Sequence, residues 1–287
     1  MKPVNVVACQ NTLGEGPLWN AGEQSIYWVD IDNKKIQRYF PDTKKFEVFD
    51  LPIKICLMAF RSKGGMILGA ENGLYFWDPI SQKLDFISHP ESEKPEARFN
   101  DGKVDRKGRL WAGTMTYQGA TSSLYRLDQD LSVHQMETGV TISNGVGWSP
   151  DNKTMYFVDS IRYVVYAYDF NFESGALSNR RVFVQMSESF GIPDGLTVDS
   201  EGCVWVAIYG GWKVMRYDPS GKVVDEIAFP VSKPSSCMFG GKNFDELYVT
   251  TISDGLTVED KLKQPMAGDL FMIKTTVKGL PEPDFAG

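Results

Sequence analysis

The sequence predicts an all-β fold, a six-bladed β-propeller, and three observations carry that reading. An apolar and aromatic strand, a polar turn and a second strand ending in aromatics recur six times along the chain. Within each unit the apolar residues alternate with period two, and no stretch sustains the i, i+3, i+4, i+7 stripe of a helix. Strand starts near Ile26, Met66, Leu110, Met155, Val204 and Leu247 lie about 40 to 49 residues apart, the length of one four-stranded blade. A barrel or a sandwich predicts no such repeat. All 287 residues are therefore read as one propeller domain.

The elements follow in chain order. "VNVVACQ" at residues 4–10 precedes the first repeat and has no partner beside it. It is predicted to pair with the last blade near residues 269–273, so that the N-terminal strand closes the last blade and protects the sheet edges. The first unit reads "SIYWVDIDNKKIQRYFP", the second "GMILGAENGLYFWDP" and the third "GRLWAGTMTYQGATSSLYRLD". The fourth is "KTMYFVDSIRYVVYAYDF", the fifth "GCVWVAIYGGWKVMRYDP", and the sixth "ELYVTTISDGL" with a later "GDLFMIK". Asp-Pro-Ser-Gly and Pro-Asp-Asn-Lys mark turns between strands. "VEDKLKQPM" reads as one short helix that ends before Pro265.

Composition narrows the function. Hydrophobic residues make up 42% of the chain and aromatics 13%, enough for a large core. A formal charge of −7 argues against a nucleic-acid partner, which needs clustered Lys and Arg. No apolar run reaches the ~18 residues of a membrane span, and the first residues lack the apolar stretch of a signal peptide. A cytoplasmic location is the expectation. Cys9, Cys56, Cys203 and Cys237 are scattered and are expected to be buried and reduced. His89 and His134 stand alone and fit neither a zinc motif nor a serine triad, so chemistry must run on carboxylates and amides.

Just upstream of four of the strands an acidic residue or Asn precedes a glycine: Glu15-Gly16, Asp101-Gly102, Asn144-Gly145 and Asp194-Gly195. Asn100 stands one position further out. Taken singly such a pair is a turn former, and "RFNDG" reads as a turn at the mouth of the buried "LWAG" strand. If turn chemistry were the whole reason, however, all six units would need the pair, whereas the second and sixth read "ICLMAF" and "PSSCMF". Equivalent positions of a propeller face one channel, so four blades aim side-chain oxygens at one place. Two carboxylates left bare there would repel, and a divalent cation resolves this. An all-oxygen set suits Ca²⁺, Mg²⁺ or Mn²⁺, and Zn²⁺ also accepts carboxylates.

The motifs "LGEGPLW", "RFNDGKVDRKGRLWAGTM", "ISNGVGWSPDNKTMYFVDS" and "PDGLTVDSEGCVWVA" closely resemble the regucalcin (senescence marker protein), gluconolactonase and luciferin-regenerating enzyme family. The resemblance covers essentially the whole chain. It implies a divalent cation held by Glu15, Asn144 and Asp194, with Asp194 also the general base. Arg98 and Asn100 match the family's substrate-binding residues. Asp101 is a candidate to orient Asn100. After "AGTM" the animal members carry an acidic pair on a long lid loop, whereas this chain has Thr116, Tyr117 and Gln118 in a short loop like that of bacterial sugar-acid lactonases. Tyr117, Gln118 and Trp212 are rim candidates, the two aromatics reading equally as sugar-stacking or blade-packing residues. The expected partner is a small sugar lactone hydrolysed to its aldonic acid, with no nucleic acid and no membrane involved. A phosphotriesterase of the diisopropylfluorophosphatase type and a non-catalytic calcium- or ligand-binding propeller are the alternatives.

Overall fold

In the computed structural model, which describes residues 1–287, six four-stranded antiparallel sheets form the blades. Their innermost strands are Gly14–Asn20, Ile55–Phe60, Arg98–Val104, Ser143–Trp148, Ile192–Val198 and Pro234–Gly240. Each blade then meanders outward through antiparallel neighbours, as the period-two patterning requires. Each innermost strand contacts those of the blades on either side, and the first meets the sixth, so the ring is closed. The sixth blade takes its outermost strand, Val4–Val7, from the amino terminus, with Val4 opposite Met272 and Val7 opposite Leu270. Asn5 Nδ2 donates to Asp269 Oδ2 at 2.6 Å and fastens that strand. The short helix is Val258–Lys263, started by a capping box between Thr257 and Asp260.

The core lies between blades. Leu57, Leu68, Phe99 and Leu110 belong to a cluster joining the first three blades, and Trp205 meets Phe239 edge-on between the fifth and sixth. Trp19 stacks on Tyr248 where the first blade meets the last. In two blades an aspartate just past the innermost strand holds a core tryptophan from below: Trp111 Nε1 donates to Asp105 and Trp205 Nε1 to Asp199, each at 2.9 Å. Cys56, Cys203 and Cys237 are buried and all four cysteines are free, but Cys9 is only half-buried, because the strand it follows is the outermost of its blade.

The turn expected at "RFNDG" is not there. Arg98–Val104 is one continuous innermost strand, with a bulge between Phe99 and Gly102 that sets Asn100 and Asp101 opposite the single residue Gly113. The Asn144-Gly145 and Asp194-Gly195 pairs occupy the same kind of bulge in their strands, and in the first blade the bulge falls just after Glu15. A bulge twists the strand and re-aims the side chain it carries. The glycines serve close approach: a Cβ on Gly195 would overlap the Ser236 side chain of the next blade, and one on Gly145 would lie 2.9 Å from Asp194 O. Of the four, only Gly16 has a positive φ, +52°.

Residues 279–287 cross the far end of the channel. Gly279 N donates to Phe244 O in the sixth blade, and Phe285 N donates to Phe60 O in the second. Phe285 is fully buried in the cluster of the first three blades.

Candidate functional site

Glu15, Asn144 and Asp194 are each more than nine-tenths buried, at 8%, 7% and 6% exposure. Arg98, Asn100 and Asp101 are half-buried. All six lie toward the starts of innermost strands, so they share one end of the channel. A hydrogen-bonded chain joins three blades there. Arg98 Nη1 donates to Asn100 Oδ1 at 2.9 Å and to Phe99 O at 2.8 Å. Asn100 Nδ2 donates to Asn144 Oδ1 at 3.0 Å and to Ser143 O at 2.9 Å. Asn144 Nδ2 donates to Ser160 Oγ at 2.9 Å, and Ser160 Oγ donates to Pro193 O at 2.7 Å. Its amide nitrogen being committed to Ser160, Asn144 turns its carbonyl oxygen toward Asn100. Ser160 went unnoticed in the sequence, where a serine after "YFVD" carries no signal.

The carboxylates interact strongly. Burial pushes the Glu15 carboxyl up to about 8, and the charge of Asp101 adds to the effect, while Arg98 and the Gly16 N–H oppose it. Asp194 is raised well above the usual carboxylate range by burial and then by Glu15 and Asp101. Asp101 is raised by its own burial, against the Gly102 N–H and the charge of Lys103. Two buried acids thus feel the half-buried Asp101 beside them, and Asp194 feels Glu15 as well.

The donor chemistry of the site fits a hard divalent cation. Glu15 and Asp194 offer carboxylate oxygens and Asn144 a carbonyl oxygen, an all-oxygen donor set. A second acidic group, Asp199, Glu201 and Cys203, is built differently. Asp199 accepts from Trp205 Nε1 and Arg216 Nε at 2.9 Å each, and Arg216 also pairs with Glu201 at 2.7 Å. A guanidinium already neutralises that cluster.

Tyr117 and Trp212 sit at hairpin tips on the same end as Glu15, at 88% and 44% exposure, and neither belongs to the core clusters. Blade packing is thereby excluded for Tyr117. Gln118 is exposed in the same loop. His134 lies on the outermost strand of the third blade, away from the channel.

The family described as "SMP-30/Gluconolactonase/LRE-like region" matches residues 13–253. The chain belongs to this family. Regucalcin of Xenopus laevis is 38% identical, over 98% of this chain and 97% of its own length. The structure of a calcium-binding protein, regucalcin, from Agrobacterium tumefaciens superimposes with a TM-score of 0.95 at 26% identity, covering 99% of this chain and 97% of that one. A luciferin-regenerating enzyme gives a TM-score of 0.91 at 31% identity, covering 99% and 100%. The family resemblance drawn from the four motifs therefore holds along the whole propeller. No helix is long and apolar enough to cross a membrane.

Proposed function

We propose that the protein is a metal-dependent lactonase that opens sugar-acid lactones to aldonic acids. The observation that carries the reading is the convergence of three carboxyls, Glu15, Asp101 and Asp194, with Asn144 and Arg98 at one end of the closed channel, Glu15 and Asp194 each more than nine-tenths buried. Glu15, Asn144 and Asp194 are the residues that would hold the ion, with Ca²⁺, Mg²⁺, Mn²⁺ and Zn²⁺ the candidates. When bound, the cation supplies Lewis-acid polarisation of the lactone carbonyl and lowers the energy of the negative charge growing on its oxygen.

The side chains of the site do the rest. Arg98 makes no carboxylate ion pair, and its free N–H groups donate to a ring hydroxyl or carbonyl oxygen. Asn100 holds Asn144 in place by donating to its carbonyl oxygen. Asp194, deprotonated, accepts a proton from the water whose oxygen attacks the carbonyl carbon. The ring C–O bond then breaks, and the departing oxygen takes up a proton to give the hydroxy acid. Asp101 adds negative charge beside this centre, and Tyr117 and Trp212 offer flat apolar faces at the entrance for a sugar ring.

The test is a panel of aldonolactones and one phosphotriester, assayed after chelation and again with each cation restored. Lactone turnover lost on chelation and regained with a divalent cation is expected. Full turnover after chelation would overturn the metal reading. Phosphotriester hydrolysis alone would favour the phosphotriesterase alternative, and cation uptake without hydrolysis the non-catalytic propeller.

A further inference from the structure

We propose that the charge of Lys103 weakens cation binding at the carboxylate cluster by acting on Asp101, and that the carboxyl-terminal segment governs this effect through Glu282. The inference rests on the cation-site reading above. Lys103 follows Asp101 by two positions on the innermost strand of the third blade, and its side chain is 14% exposed. Its Nζ donates to Leu196 O of the fifth blade at 3.3 Å and stands 3.5 Å from Glu282 Oε1. A cavity of about 30 Å³ opens at this level, lined among others by Gly16, Asp101, Lys103, Ser236 and Glu282. Below the three carboxylates, then, the channel contains a fixed positive charge. It acts on the Asp101 carboxyl and on the Cys237 thiol.

The counter-charge comes from a segment anchored around the far rim. Ser200 N donates to Lys278 O, Arg106 Nη1 to Pro281 O at 3.4 Å, and Ala286 N to Gly108 O, so the segment is tied to the fifth and third blades. Pro283 lies against the same cavity. The tail is thus a floor that places one carboxylate in the channel from below. Stability alone would be served as well by an apolar plug, because burying an ion pair rarely repays its desolvation. The electrostatic consequence is specific. Lys103 offsets the charge that Asp101 adds beside a cation held by Glu15, Asn144 and Asp194, and Glu282 cancels that offset.

This predicts effects of opposite sign. Ca²⁺ is titrated calorimetrically into chelator-stripped full-length protein at low ionic strength. Lys103→Met is expected to bind Ca²⁺ about tenfold more tightly than wild type, and Glu282→Gln about tenfold more weakly. The double variant is expected to return to within about threefold, and Lys103→Arg, which keeps the charge, to stay within about twofold. A merely structural pair would weaken binding in both single variants; that result, or no change in either, overturns the proposal. Wild type, Lys103→Met, Glu282→Gln and the double variant are also melted without metal, where non-additive shifts are expected and strict additivity likewise overturns the coupling. Should wild-type protein take up no divalent cation, the cation-site reading fails by itself, and the melting cycle still decides whether Lys103 and Glu282 act as a unit.

Discussion

Glu15 and Asp194 are carboxyls kept from ionising by burial and then by neighbouring carboxylates, Asp101 for Glu15 and both Glu15 and Asp101 for Asp194, and this has a measurable sign. A group whose folded pKa is raised holds its proton in the native state after the unfolded chain has released it. Its contribution to stability is complete below about 4.5 and is lost as pH rises toward about 8, the value of Glu15. Metal-free protein is therefore expected to melt at progressively lower temperature between those limits, as followed by circular dichroism; a melting temperature that rises across the window would contradict the buried cluster. Cation binding must displace that proton, so Ca²⁺ affinity is expected to fall by up to about tenfold per pH unit below about 8. Calorimetry in two buffers of different ionisation enthalpy reads the released proton directly. Asp194→Asn separates stability from chemistry. It removes one of three repelling acids, so the stripped variant is expected to be at least as stable as wild type, while lactone turnover falls by about 10² or more. A variant that keeps near-wild-type turnover would remove Asp194 from the role of base.

The innermost strand is the element on which the site depends, and its bulge explains both what the sequence disclosed and what it hid. The Asp-Gly and Asn-Gly pairs announce themselves as paired oxygen and glycine, and their absence from "ICLMAF" and "PSSCMF" marks them as more than turns. Their backbone was misread because a turn and a bulge favour the same residues: both need a glycine beside a short polar side chain. What decides for the bulge is the crowding of six strands around one axis, a packing fact that no local pattern contains. Ser160 and Glu282 were invisible for a related reason, since Ser160 meets Asn144 and Pro193 16 and 33 residues away and Glu282 meets Lys103 179 residues away. The crowding is testable. Gly195→Ala drives a methyl into Ser236, and both lie in strands with no room to move, so a loss of about 2–4 kcal/mol is expected in denaturant unfolding. Pairing it with Ser236→Gly, which vacates that space, is expected to recover part of the loss.

At the scale of the whole molecule, ring closure explains why the first strand of the chain matters to a site it never touches. Six blades spaced around an axis hold their innermost strands in register only if the sixth is locked to the first; beside the Ser235 Oγ hydrogen bond to Gly14 O at 2.6 Å and the bridge of Leu13 to Ile252, two further features do it. One is the stacking of Trp19 on Tyr248, at 5.6 Å between ring centres. The other is Val4–Val7, which completes the sixth blade from the far end of the sequence. This closure was legible in the sequence because "VNVVACQ" is a strand without a neighbour, and a propeller has one vacancy for it. Without that strand, Leu270–Lys274 becomes an open edge, Asp269 loses the amide of Asn5, and Val7 leaves its place against the core of the sixth and first blades. Deleting residues 1–7 is expected to cost about 3–4 kcal/mol, equivalent to about 10 °C in melting temperature for a chain of this size. Because the loss falls at the seam between blades, the transition is also expected to broaden, and Glu15 in the first blade to drift from Asp194 in the fifth. Ca²⁺ affinity should then fall with stability, whereas Asn5→Ala, which removes only the fastening, should lower the melting temperature by a few degrees and leave affinity intact. A truncated chain that melts as sharply and as high as the full one would show instead that blade packing alone closes the ring.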